Sequence, residues 1–245
     1  MFQKWDFASD AAFVLSQPLD DPRGAYDRAA PRYDRMHERF LRRSGQDALQ
    51  RMRQDLRPLL RPDIRVLDLG CGTGHVSRWM IACEPDIRLT LVDQSVRMLQ
   101  RTIDMAARHV HASAEALPFE DAAFDLIVSA WMLESVASVD AVIEECLRVL
   151  APTGTILLCF CSTPDSALGR AKWAPFSYVL RRGFSGRTVR VEGTQVVRRA
   201  RVQKAVFHGG RATILCLTHR TPSHWSGWSR KVTSIDGASA SVLTM

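Results

Sequence analysis

Val66-Leu67-Asp68-Leu69-Gly70-Cys71-Gly72-Thr73-Gly74 is an apolar run that ends in three glycines spaced by single residues. A nearly continuous apolar run suits a strand buried on both faces. Glycines let its end turn sharply and bring bare backbone close to a ligand. The residues after Gly74 read as the start of a helix, whose first amides have no partner within the helix. A nucleotide-like ligand is expected there. His75 and Val76 stand where a dinucleotide fingerprint wants its third glycine, so a pyrophosphate is disfavoured.

Outward from this turn the chain alternates. A strand over Ile64 to Leu69 precedes a helix from Gly74 to Cys83, a strand from Arg88 to Asp93 and a helix from Ser95 to Arg108. Strands at His109 to Ser113, Phe124 to Ala130 and Thr155 to Cys161 follow, with a helix over Val139 to Leu150 between the last two. Such alternation with short links predicts right-handed crossovers and a mainly parallel sheet. Beyond Pro164 the pattern loosens to a helix over Trp173 to Arg182 and strand-like segments at Thr188 to Val191 and Ala212 to Thr218. The fold class is therefore α/β, a Rossmann-like doubly wound sheet of seven strands. Upstream, Ala29 to Leu60 carries apolar residues at helical spacing, broken at Ser44 and Gly45, and reads as two helices forming an N-terminal helical cap. No internal repeat is read.

With 245 residues and 46% apolar content the chain can close a full core, and no run of eighteen apolar residues marks a membrane span. Asp6 and Asp10 interrupt the N-terminal stretch where a secretory signal needs apolar residues, so a cytoplasmic location is expected. Six cysteines without a C-x-x-C pair read as reduced, mostly buried thiols, and no metal is assigned. Residues 1 to 170 hold 20 Lys and Arg against 24 Asp and Glu, while residues 171 to 245 hold 13 against 2. The later part could steer an anionic small molecule, RNA or a membrane surface, or be a solvated basic face.

Asp93, at the end of the second strand, lies about twenty residues beyond the glycines, where a carboxylate can accept both hydroxyls of a ribose. Further on stand Ala114-Glu115-Ala116-Leu117-Pro118-Phe119, Phe124-Asp125-Leu126-Ile127-Val128-Ser129 and Arg148-Val149-Leu150-Ala151-Pro152-Thr153-Gly154. With these motifs in this order, the sequence from Tyr26 to Phe160 resembles the class I S-adenosylmethionine (SAM) dependent methyltransferases, in particular the small-molecule enzymes related to the ubiquinone/menaquinone C-methyltransferases.

The resemblance implies SAM as cofactor, with Gly70, Gly72 and Gly74 along its methionine and ribose part and Asp68 beside its amino group. Asp93 would hold the ribose, Gln94 and Met98 would lie near the adenine, and Ser113 and Ala114 would meet its amino edge. Relatives often carry Asp where Ser113 stands, and many carry His where Ser135 stands. Ala130 and Trp131 would face the sulfonium and the acceptor entrance, and Tyr33 would close the site from the N-terminal helices. Three segments are expected: a helical cap over residues 1–60, the SAM-binding domain over 61–221 and, from its richness in Ser, Thr and Gly, a flexible tail over 222–245. As general bases, His37, His111 and Glu134 are the candidates, against the plainer readings of His37 as an exposed helix residue and His111 as a core residue. Trp173, Phe176, Tyr178 and Phe184 beside Arg181, Arg182 and Arg187 suggest a wall for an aromatic or anionic acceptor, or simply a buried helix face. The function expected is methyl transfer to a small molecule, with an RNA methyltransferase and an NAD(P)-dependent oxidoreductase as alternatives; the oligomeric state is not legible.

Overall fold

The structure is a computed structural model and describes residues 22–164, 167–184, 186–189, 200–207 and 212–219. Seven strands form one sheet among the described residues: β1 (Arg65–Leu69), β2 (Arg88–Asp93), β3 (Arg108–His111), β4 (Phe124–Ala130), β5 (Leu150–Phe160), β6 (Ala200–Phe207) and β7 (Ala212–His219). Their order is β3-β2-β1-β4-β5-β7-β6, with β7 antiparallel to both of its neighbours and the remaining pairs parallel. The winding reverses between β1 and β4, which opens a crevice at the carboxyl ends of those strands.

Alternate residues of each strand serve opposite faces, and both faces are covered. Leu157, Cys159 and Cys161 of the β5 region pack in one cluster with Leu49, Met52 and Leu56 of α3 (Gln46–Leu56) and Val76 and Met80 of α4 (His75–Cys83). Ile156, Leu158 and Phe160 face the other way, into a cluster with Val142, Ile143 and Cys146 of α6 (Val139–Val149). This double burial explains why the strands read as apolar runs. It also settles the cysteines: five of the six are buried, all six are free thiols, and burial holds the Cys159 and Cys161 thiols well above the usual range.

Two motifs from the family pattern turn out to be joints. At the amino ends of β1 and β4, Arg65 donates to both carboxylate oxygens of Asp125, at 3.0 Å from Nε and 2.7 Å from Nη2. Arg148 donates to the carbonyls of Leu117 and Phe119 and to Glu145 and Asp121, tying the loop before β4 to α6.

The N-terminal part is helical as expected, in the pieces α1 (Pro22–Ala29), α2 (Tyr33–Phe40) and α3, with a π turn over Leu41–Gly45 where Ser44 and Gly45 break the pattern. The helix expected over Ser95 to Arg108 is shorter: α5 spans Val96–Gln100. The chain then winds through successive turns, Arg101 N donating to Met98 O and Thr102 N to Leu99 O. Arg78 holds this segment against α4 through Asp104 and the Arg101 carbonyl, which pulls it off a helical path.

Of the strand expected at Thr188 to Val191, Val189 makes one isolated parallel bridge to Ser162, and Arg190 and Val191 lie outside the described residues; the sixth strand among the described residues is Ala200–Phe207. That edge strand interleaves Arg201, Gln203 and Lys204 with apolar residues and pairs on one side only, so its pattern is faint. The helix expected at Trp173 to Arg182 is longer, α7 (Ala167–Phe184). The tail over residues 222–245 lies outside the described residues, as do the side chains of Phe176, Arg182 and Phe184. No helix among the described residues is long and apolar enough to cross a membrane.

Candidate functional site

The carboxyl end of β1 carries the chain into the glycine turn. The Gly70 and Cys71 amides both donate to the Val92 carbonyl, at 2.8 and 3.0 Å, which ties the turn to β2. Gly70, Gly72 and Gly74 all have positive φ, at 70°, 53° and 81°, a region costly for other residues. At Gly70 the reason is also close approach: a Cβ there would lie 2.3 Å from Met132 Cγ. At Gly72 a Cβ would meet only Tyr33, at 3.9 Å, so the bare backbone opens onto free space.

Asp93 ends β2 and turns back on this loop. Its Oδ2 accepts from the Gly72 amide and its Oδ1 from the Ser95 amide, each at 2.8 Å. Burial raises its pKa, and those two backbone donors oppose the rise. Asp68, on β1 beneath the turn, is buried, accepts from Ser77 Oγ and has its pKa pushed up by burial to about 7.

Three hydrogen bonds fasten the N-terminal helices over these loops. Asp27 accepts from Ser95 Oγ after β2, Asp34 accepts from Thr73 Oγ1 in the glycine turn, and Tyr26 Oη lies 2.8 Å from Ser135 Oγ after β4. Between these helices and the strand ends lies a cavity of about 400 Å³. Its walls are Tyr26 and Tyr33 from the helices, Leu69, Gly70 and Gly72 from the glycine turn, and Val92, Asp93 and Gln94 from the end of β2. The remaining walls are Ala112 to Glu115 after β3, Ala130 at the end of β4, and Trp131, Met132 and Ser135 to Ala137 beyond it. Trp131 sits at φ 61° and is held by its amide to the Cys159 carbonyl at 2.7 Å. A left-handed non-glycine residue at a cavity wall is a local cost that the surrounding fold sustains.

Of the residues singled out from the sequence, Tyr33, Gly70, Gly72, Asp93, Gln94, Ser113, Ala114, Ala130 and Trp131 stand in the wall of this cavity. Asp68 walls a small chamber of about 30 Å³ that shares Tyr33, Gly70, Gly72, Ala130 and Trp131 with it. Two members are placed elsewhere. Gly74 faces Thr102 and Met105, whose atoms lie 2.9 Å from where its Cβ would be, and so serves helix packing. Met98 is buried in the interior, because the short α5 turns it into the protein and away from the cavity.

The three candidate bases separate. His111 is exposed, because β3 is an edge strand and not central; its Nε2 lies 3.0 Å from the Gln94 carbonyl. Glu134 is buried, accepts from the Cys161 amide and is pushed up to about 7 by burial, but it lies outside the cavity lining. His37, expected on an exposed helix face, is partly buried, stacked on Tyr33 at 5.5 Å, and walls the small chamber. Of the acceptor wall expected from α7, Trp173 is buried and Tyr178 is 55% exposed, and neither lines the cavity; the side chains of Phe176, Arg182 and Phe184 lie outside the described residues.

Tyr26, Glu115 and Ser135 to Ala137 are wall residues that the sequence reading did not assign to the site. For Tyr26 a signal existed. Tyr26-Asp27-Arg28 recurs as Tyr33-Asp34-Arg35, two helical turns later, and the structure uses both copies alike: each Tyr lines the cavity and each Asp holds a loop hydroxyl. A metal-ligand group of three or more His, Cys, Asp or Glu is absent among the described residues.

Residues 67–158 match the family model described as a methyltransferase domain. The chain is 36% identical over 136 residues to a malonyl-[acyl-carrier protein] O-methyltransferase of Enterobacter lignolyticus, covering 54% of this chain and 50% of that protein. It is 34% identical over 127 residues to the ubiquinone/menaquinone biosynthesis C-methyltransferase UbiE of Shewanella frigidimarina, covering 48% and 51%. The chain thus spans about half the length of the curated relatives it matches. Among solved structures, a SAM-dependent methyltransferase of Thermotoga maritima superposes with a TM-score of 0.57 at 18% identity, covering 80% of this chain and 99% of that one. The YcgJ protein of Bacillus subtilis does so with a TM-score of 0.55 at 16% identity, covering 70% and 100%; both show the fold. These likenesses favour neither an RNA methyltransferase nor an NAD(P)-dependent oxidoreductase. Residues 67–158 are thus similar to a methyltransferase domain, and they sit on the strand order and glycine turn of the fold that the solved structures share.

Proposed function

We propose that the protein transfers the methyl group of SAM to a small-molecule acceptor by in-line displacement. The observation that carries this reading is the Asp93 carboxylate, bonded to the Gly72 amide and open to a cavity of about 400 Å³. That volume suits a nucleoside-sized ligand, and the space left by the missing Gly72 side chain lets one approach the turn. When bound, SAM supplies an activated methyl on a sulfonium.

Asp93 has lone pairs left for ribose hydroxyls, while Gly70, Gly72 and Tyr33 wall the methionine side with Asp68 behind them. Gln94, Ser113 and Ala114 bound the adenine side, although the Ser113 hydroxyl is already accepting from the Glu115 amide. Ala130 and Trp131 face the transferring group, and Trp131 is the wall offered to the acceptor. The residues' task is to align the reactants and keep out water, which is where the rate of such a displacement comes from. The helices of residues 1–60 serve as the lid of a domain over 61–221.

The relatives named as quinone and malonyl-carrier methyltransferases support an aromatic or anionic acceptor. The Tyr26 and Ser135 hydroxyls, in the cavity beyond Trp131, suit either as hydrogen-bond donors. A cytoplasmic location fits six free thiols.

Parallel calorimetric titration with SAM, S-adenosylhomocysteine, NADH and NADPH tests the cofactor. Micromolar binding of the two adenosyl compounds alone is expected, and binding of the nicotinamides alone would overturn the reading. A screen of quinol, phenol and carboxylate acceptors for methyl incorporation then tests the acceptor class.

A further inference from the structure

Behind the glycine turn, the chamber of about 30 Å³ has room for an end group the size of a carboxylate or a water and not for a ring. Its wall brings together groups of opposite character. Asp68 comes from β1, while His37 comes from α2 and His75 from the start of α4. The two imidazoles lie 5.5 Å apart between centroids, and Arg53 of α3 backs them, its Nη2 3.2 Å from His75 Nε2. Tyr33 stacks on His37 and also walls the large cavity, so the chamber adjoins it along shared walls.

Asp68, which an arriving ammonium would ionise, and two imidazoles backed by a guanidinium in one lining complement a zwitterion. Accepting the proposed cofactor, its amino-acid end is the zwitterion that this chamber fits. The geometry points to His37 as the residue that receives the cofactor's carboxylate and takes up a proton when it arrives. His37 thus serves the cofactor and not the acceptor, whose side of the cavity is marked by Tyr26 and Ser135.

The groups around His37 set the sign of the effect. Burial, and after it His75, lower its pKa to about 4, against an opposing pull from Asp34 on its own helix. Glu38 on α2 and Arg53 on α3 reach it through His75, which they affect in opposite directions. Asp68 and Cys71 share the chamber wall. With the site empty, His37 is neutral near pH 6. An entering carboxylate favours the cation and raises the His37 pKa, so this ring draws a proton from solvent, while an ammonium beside Asp68, whose pKa is about 7, releases part of one; the His37 share is the difference between the unaltered protein and His37→Gln. Well below pH 4 the ring is already protonated, and at alkaline pH it stays neutral, so uptake peaks between.

The test compares S-adenosylhomocysteine, which carries the amino-acid end, with 5′-methylthioadenosine, which lacks it. Calorimetry in two buffers of different ionisation heat, at several values between about pH 5.5 and 7.5, reads proton uptake directly. The His37 share is expected for S-adenosylhomocysteine, growing as the pH falls, and absent for methylthioadenosine. His37→Gln should remove that share and weaken S-adenosylhomocysteine about tenfold, the size of one charge-assisted hydrogen bond, while methylthioadenosine changes less than about twofold. Retained methylthioadenosine binding also certifies that the variant folds. Equal losses for both ligands, or a proton balance that His37→Gln leaves unchanged or shifts equally for both ligands, overturns the assignment and leaves the cofactor reading standing. Failure of both ligands to bind the unaltered protein overturns the cofactor reading and this inference with it.

Discussion

Asp93 Oδ2 accepts the Gly72 amide hydrogen at 2.8 Å, joining the end of β2 to the glycine turn across 21 residues of sequence. The same carboxylate thus shapes the loop and faces the cavity. Asp93→Ala should abolish measurable S-adenosylhomocysteine binding and leave the fold intact, since α4 and the core do not depend on the carboxylate. Asp93→Asn keeps one oxygen for either the Gly72 or the Ser95 amide, sets its NH2 against the other and loses charge, so it should weaken binding by about 2 kcal/mol or more, in the range of a hydrogen bond to a charged group. Titration calorimetry and circular dichroism on both variants check this.

Gly70 and Gly72 should fail differently. Gly70→Ala drives a Cβ into Met132 at a φ of 70°, so it should cost about 2–4 kcal/mol of stability from overpacking and backbone strain together. Gly72→Val finds space but fills the cavity side of the turn, so ligand binding should disappear at a smaller loss of stability. Denaturant melts beside binding isotherms separate the two outcomes.

Tyr26 and Ser135 form a hydroxyl pair 2.8 Å apart between α1 and the loop after β4. Tyr26→Phe, Ser135→Ala and the double variant should give a coupling of about 1 kcal/mol in stability, the usual worth of one neutral hydrogen bond. A coupling near zero would mean that this pair adds nothing to holding the lid.

Asp68 and Glu134 carry pKa values raised by burial to about 7 each. A carboxyl whose folded pKa exceeds its unfolded one binds more protons when folded, so stability is full below the unfolded pKa and declines as pH rises through the folded pKa. Melting temperature should therefore fall between about pH 4 and 7. Asp68→Asn and Glu134→Gln should each flatten part of that fall in thermal melts across the range.

Much of the fold was readable because it depends on local patterning. Strands buried on both faces must be apolar throughout, so β1, β2, β4 and the second half of β5 stood out, and the glycine turn with Asp93 follows from short-range geometry. What escaped had weak or contested local signals. The edge strand β6 alternates charged with apolar residues, and the segment after α5 leaves its helical path because Arg78 captures Asp104.

The sequence by itself determined a doubly wound α/β domain and where along the chain its glycine turn lies, since periodicity and glycine spacing are properties of neighbouring residues. Tertiary structure alone decided which side chains share the cavity. Tyr26 meets Ser135 across 109 residues, His37 turns inward to a chamber with Asp68, and Gly74 and Met98 face away, because helix rotation and loop path are set by packing between distant elements.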